Sequence, residues 1–133
     1  MECNSDTKEN LFEDYKDILI FDELIEILKV GKNTGYNLLQ TKEIYSKKIG
    51  KEYKIPKICV IDYLFKQVYD KNSILRNYQD VLDFQEVLEV LRNPSENTVY
   101  KLLRDKEIYS IKIARGYKIP KVSLIDFLFK ENI

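Results

Sequence analysis

Apolar residues recur at helical spacing in two stretches, Phe21, Leu24, Ile25, Leu28 and Phe84, Val87, Leu88, Leu91. They predict amphipathic helices over 21–29 and 84–92. A break follows each, Val30-Gly31 in one and Asn93-Pro94-Ser95 in the other. Second short helices are expected over 32–41 and 96–105, with Ser95 an N-cap and Gly31 a weaker one. Asp83 followed by Glu86 is a capping-box pattern, and Ile20 denies the first helix that cap. Then β-rich runs, 44–48 with 53–55 and 108–113 with 117–119, flank glycine-bearing turns at 50–52 and 114–116 and predict hairpins. Pro56 and Pro120 end them, and closing helices are expected over 58–68 and 122–130.

The pattern recurs because the sequence does. Residues 36–66 and 100–130 agree at roughly 20 of 31 positions, and the stretches upstream of each also correspond. The chain therefore divides into a mobile tail 1–7, a module 8–66, a junction 67–70 and a second module 71–133. So short a junction implies two modules docked in a fixed relation. The fold class expected is mainly α with small β-hairpins, in two tandem copies.

Charge changes this picture only locally. Lys and Arg total 22, as do Asp and Glu, for a formal net charge of zero. The acids gather in 1–14 and the first helices, whereas 32–57 and 95–121 are rich in Lys and Arg, so each module is bipolar. The chain has no histidine, which removes imidazole acid–base chemistry and most zinc sites. Cys3 and Cys59 have no partner spacing, and a reducing cytoplasm is the plain reading. No run reaches the length of a membrane span. No nucleophile motif or phosphate-binding glycine loop occurs, so neither catalysis nor a cofactor or metal is expected.

These parts resemble the excisionase-like helix-turn-helix family, related to the MerR-type DNA-binding domain. The resemblance rests on Thr34, Tyr36, Leu38-Leu39, Lys42-Glu43-Ile44, Tyr53-Lys54-Ile55-Pro56-Lys57 and Asp62-Tyr63-Leu64. In the second copy it rests on Thr98, Tyr100, Leu102-Leu103, Lys106-Glu107-Ile108, Tyr117-Lys118-Ile119-Pro120-Lys121 and Asp126-Phe127-Leu128. Three features depart from the family. Lys42 and Lys106 stand where it usually has glycine, the second helix-helix turn is one residue longer, and Glu96 opens the second recognition helix.

The resemblance implies two tandem winged helix-turn-helix modules that bind double-stranded DNA. Recognition-helix side chains would be Lys32, Asn33, Thr34, Tyr36 and Asn37, then Ser95, Asn97, Thr98, Tyr100, Lys101 and Arg104. Such helices read base edges in the major groove: Asn pairs with adenine, Lys with guanine, and Thr touches a thymine methyl or a phosphate. Lys47, Lys48, Lys51 and Lys54, with Lys112, Arg115 and Lys118, would lie on the wings, beside phosphates or in the minor groove. Tyr36 and Tyr100 fit a core position equally well. Modules running the same way along one chain suit direct repeats about one helical turn apart.

The expected job is transcriptional regulation, in the bacterial or mobile-element cytoplasm. An excisionase-type DNA-bending role beside a recombinase is the alternative. A third reading is a sensing module that holds a protein or an anionic small molecule in the groove between the repeats.

Overall fold

The computed structural model describes residues 11–66 and 68–130. The tail 1–7, residues 8–10, Gln67 of the junction and the last three residues lie outside the described residues.

Repeat 1 begins with strand β1 (Ile18–Leu19), then helices α1 (Phe21–Leu28) and α2 (Lys32–Gln40). Strands β2 (Lys47–Ile49) and β3 (Glu52–Pro56) and helix α3 (Lys57–Phe65) complete it. A 3-10 turn (Lys71–Ser73) leads into the same order again. Repeat 2 comprises β4 (Val81–Leu82), α4 (Phe84–Val90), α5 (Glu96–Arg104), β5 (Ile111–Ile113), β6 (Gly116–Pro120) and α6 (Lys121–Phe129). The architecture is mixed α/β and helix-rich, with six α-helices and two small antiparallel sheets among the described residues.

Each expected hairpin gains a third strand. Ile18 pairs with Pro56 and Leu19 with Ile55; Val81 pairs with Pro120 and Leu82 with Ile119. The sheet orders are β1-β3-β2 and β4-β6-β5. Two-residue strands carry no periodicity of their own, and the pairing of the returning β3 or β6 creates them.

Helix starts follow local chemistry. The Asp83 carboxylate accepts Glu86 N–H at 2.9 Å while Glu86 accepts Asp83 N–H at 3.0 Å, completing the box. Ile20 has no acceptor, but Glu23 Oε1 still takes the Ile20 N–H at 3.1 Å, half of the same device.

The strand expected from residue 44 does not form there. Lys42 and Lys106 adopt left-handed backbone, φ 65° and 61°, at the positions that favour glycine. That reversal ties Glu43 and Ile44 N–H to the Leu38 carbonyl, and Glu107 and Ile108 N–H to the Leu102 carbonyl. Ile44 and Ile108 become buried core plugs after the helix, not strand residues. The closing helix of repeat 1 also stops early, at Phe65, because Lys66 turns left-handed.

Two cores form and share residues across the repeat boundary. Leu19, Leu24, Leu39, Ile44, Ile55 and Val60 centre one, and Leu82, Leu91, Ile108, Ile119, Leu124 and Leu128 the other. Ile18 and Ile49 of repeat 1 belong to the repeat 2 core, while Phe129 packs on the repeat 1 core. The expected docking is thus built from apolar burial. Polar contacts fix its register. Arg92 donates to Glu23 Oε1 at 2.7 Å and to the Ile18 carbonyl at 3.0 Å, and Asp17 accepts Leu75 N–H at 2.9 Å.

Candidate nucleic-acid interface

Side chains alternate across each three-stranded sheet, giving it a front that meets the helices of its repeat and a back that faces away from them. The front holds the same aromatic ladder twice. Phe21 stacks on Tyr36 with centroids 4.0 Å apart, and Tyr36 lies 6.3 Å from Tyr53. In repeat 2, Phe84 stacks on Tyr100 at 4.1 Å and Tyr100 lies 6.2 Å from Tyr117. Lys48 Nζ sits 5.2 Å over the Tyr53 ring, and Lys112 Nζ 5.4 Å over Tyr117. Tyr36 and Tyr100 are half-exposed, so the two readings left open for them combine: one ring face stacks inward and the rim reaches solvent.

Around the ladder in repeat 1, Lys32, Asn33, Thr34 and Asn37 of α2 are exposed, as are Lys48 and the turn residue Lys51. Helix α2 has no side-chain cap at Gly31, so its first-turn N–H groups remain open to an anion. The shallow cleft beside it, about 520 Å³, carries Lys48 and Lys51 against Asp22 and Glu52. Attraction for a polyanion therefore comes from the helix start and the hairpin tip, not from the cleft floor.

Repeat 2 presents Asn97, Tyr100, Lys101, Arg104, Lys112, Arg115 and Lys118 to solvent. Its helix start differs in kind. Ser95 Oγ accepts Thr98 N–H at 3.1 Å and lies 2.7 Å from Thr98 Oγ1, so both hydroxyls are engaged in the cap. Glu96 adds a carboxylate to the first turn. An anion is less welcome there than at α2.

Two expected contacts are corrected. Lys47 is 4% exposed and Lys54 1%, both on the back of the first sheet, where they oppose each other in register. Repeat 2 covers this back. Lys47 Nζ donates to the Lys130 carbonyl at 2.8 Å and lies 4.5 Å over the Phe127 ring. Burial pushes the Lys47 ammonium below its ordinary pKa, with Lys130 adding to the effect and Glu107 opposing it. Lys54 Nζ is held by Glu52 at 2.9 Å. Neither can reach a phosphate. Lys118, paired in register with Ile111, also lies on a back face, though an exposed one.

The groove between the repeats does not suit the anionic ligand considered from the sequence. It is a cleft of about 620 Å³ lined by Glu13, Asp14, Asp17 and Glu89 against Lys16 and Lys57. Lys57 Nζ is committed to the Phe12 and Tyr15 carbonyls at 3.2 and 2.9 Å. Lys121 repeats this on Leu75 and Tyr78 at the same two distances. The basic residue after each proline is thus a clamp on the chain entering its repeat, a role that sequence reasoning missed. The signal available was its recurrence beside the equally recurrent Tyr15 and Tyr78.

No helix among the described residues is long and apolar enough to cross a membrane. No family model matches the sequence, no curated protein matches it, and no solved structure matches its fold.

Proposed function

We propose that the chain binds double-stranded DNA sequence-specifically through two tandem winged helix-turn-helix modules, as a transcriptional regulator. The observation that carries this reading is the duplicated front face. A half-exposed tyrosine on the second helix, stacked inward, and a lysine held over a tyrosine on the adjacent hairpin recur with nearly the same ring geometry. A helix in the major groove beside a cationic hairpin on the backbone uses both parts. The resemblance to the excisionase-like family points the same way.

Repeat 1 is the stronger reader, with an uncapped helix start flanked by Lys32; repeat 2, with Ser95 tied in its cap and Glu96 beside it, contributes less. The repeats dock through unlike surfaces, which suits direct rather than inverted half-sites.

Selection of bound genomic fragments tests the reading. Asn33→Ala with Thr34→Ala should abolish selection of a motif, and Asn97→Ala with Thr98→Ala should weaken it. On a selected site, contact with about six phosphates gives a log–log salt slope near −5. Lys48→Ala should reduce that slope by about 0.9, whereas Lys47→Ile should leave it unchanged because Lys47 is buried. A protein that is folded yet selects no fragment at low salt is not a DNA-binding regulator. A strong bend by circular permutation on a bound site would instead indicate the excisionase-type role.

A further inference from the structure

The docking of the two repeats is asymmetric, and it leaves half of itself unused. Repeat 1 contributes the back of its sheet, with Ile18, Tyr45, Lys47 and Ile49. Repeat 2 contributes the C-terminal end of α6, where Phe127 meets Lys47 and Phe129 stacks on Tyr45 at 5.9 Å. Tyr45 Oη donates to the Leu128 carbonyl at 2.7 Å and the Lys130 carbonyl at 3.1 Å. The two surfaces share no equivalent position.

Each surface has a counterpart on the other repeat, and both counterparts are bare. Ile18 is 1% exposed but its equivalent Val81 is 56%; Ile49 is 3% and Ile113 is 58%. Lys47 at 4% corresponds to Ile111 at 49%, and Tyr45 to the exposed Tyr109. On the other side, Phe127, Leu128 and Phe129 are largely or fully covered, whereas their equivalents Tyr63, Leu64 and Phe65 are half-exposed. Apolar side chains of this size, grouped on two patches, are unusual on a free surface.

We infer that a second copy of this chain occupies them, with the end of its α3 seated on the back of the β4-β6-β5 sheet. The intrachain interface supplies the template. Lys29 stands where Arg92 does and Glu86 where Glu23 does, so the ion pair that fixes register can form again between chains. Tyr109 stands where Tyr45 does, and the Leu64 carbonyl inside α3 stands where that of Leu128 does. Ile111 for Lys47 puts an aliphatic branch where repeat 1 must bury an ammonium group, which lowers the desolvation cost at that position, while Gly116 for Glu52 removes the carboxylate that holds Lys54 in the first copy. Because the two surfaces differ, each added copy exposes a fresh one. Such a heterologous contact continues into an open chain or closes as a ring.

Sedimentation velocity of the full chain without DNA, from about 10 μM to about 1 mM, tests this. Wild type should grow beyond a dimer as concentration rises. Ile111→Asp removes one surface and Phe65→Glu the other. Both positions are exposed, and an unchanged far-UV spectrum and melting temperature verify the fold. Each variant alone should stay monomeric, and an equimolar mixture should form a heterodimer and stop, since one good surface remains on each. A monomeric wild type over the whole range overturns the inference. So does association that survives either substitution, or a mixture that stays monomeric while wild type associates.

Discussion

On the front of the two sheets, the ring stacks of repeat 1 and repeat 2 agree closely, 4.0 against 4.1 Å and 6.3 against 6.2 Å. On the back, equivalent positions have opposite surroundings, because only the first sheet is covered by its neighbour. Front-face geometry is fixed by contacts within a repeat, so copying the sequence copies the structure. Back-face geometry depends on what docks, so the same register yields a buried ammonium in one repeat and a bare isoleucine in the other. Strand position alone therefore does not say whether a lysine is available to a ligand.

Helix packing inside the repeats offers the sharpest way to break the likeness. Gly35 and Val99 occupy equivalent positions on α2 and α5. Val99 is fully buried, whereas a Cβ on Gly35 would lie 2.6 Å from Ile25 Cγ2 and 3.1 Å from the Phe21 ring. The shorter turn of repeat 1 goes with this closer helix approach, and glycine is what allows it. Val99→Gly should cost about 3–4 kcal/mol, combining a lost buried side chain with a helical glycine. Gly35→Val should cost about 2 kcal/mol by overpacking, despite better helix propensity. Urea denaturation measures both. If Gly35→Val stabilises the chain, the helices of repeat 1 are not as close as described.

The next largest effect concerns the link between repeats. Arg92→Ala removes the partner of the largely buried Glu23 and should cost about 2 kcal/mol near neutral pH. Burial raises the Glu23 pKa, but the Arg92 hydrogen bond, the Ile20 N–H and the Arg92 charge together outweigh it, so the net shift is downward from the ordinary glutamate value. A carboxyl depressed on folding contributes its stability above the unfolded pKa and loses it as pH falls through the folded one. The penalty of Arg92→Ala should therefore shrink as the pH falls from the ordinary glutamate value through the depressed folded one. A penalty equal at pH 7 and pH 3 would mean that Arg92 acts through packing alone.

Much of this architecture was legible because its causes are local. Apolar spacing marked α1 and α4, Asp83 with Glu86 marked a helix start, and Ser95 marked another. What stayed hidden had tertiary causes. Ile18–Leu19 becomes a strand only when β3 returns to it; Ile44 is the exception, leaving the strand pattern because Lys42 reverses the chain locally. The exposed helix starts of the candidate site were readable from sequence, whereas the burial of Lys47 and Lys54 was not. An alternating basic strand looks the same whether solvent or another repeat lies behind it.

The smallest contrast lies at the hairpin tips. The sequence places a glycine near both, and the equivalence is misleading. Register joins Ile49 to Glu52 and Ile113 to Gly116, so the two-residue turns are Gly50-Lys51 and Ala114-Arg115. Gly116 is the first residue of β6 and plays no part in the reversal. The left-handed position is filled by Gly50 at φ 63° in one repeat and by Ala114 at φ 58° in the other. An L-residue holds that conformation at a cost of roughly 1–2 kcal/mol, and glycine holds it freely, though glycine loses more backbone entropy on folding. The two effects partly offset, so Ala114→Gly should stabilise the protein by about 0.5–1 kcal/mol and Gly50→Ala should destabilise it by a similar amount. No atom lies within 4 Å of a Cβ built on Gly50, so backbone conformation rather than crowding sets the sign there. Thermal melts of the two single variants and the double variant check this. Additive, opposite shifts are expected, because each tip is strained only by its own φ. If Gly50→Ala is neutral, the tip relaxes out of the left-handed region, and the hairpins are less alike than their registers imply.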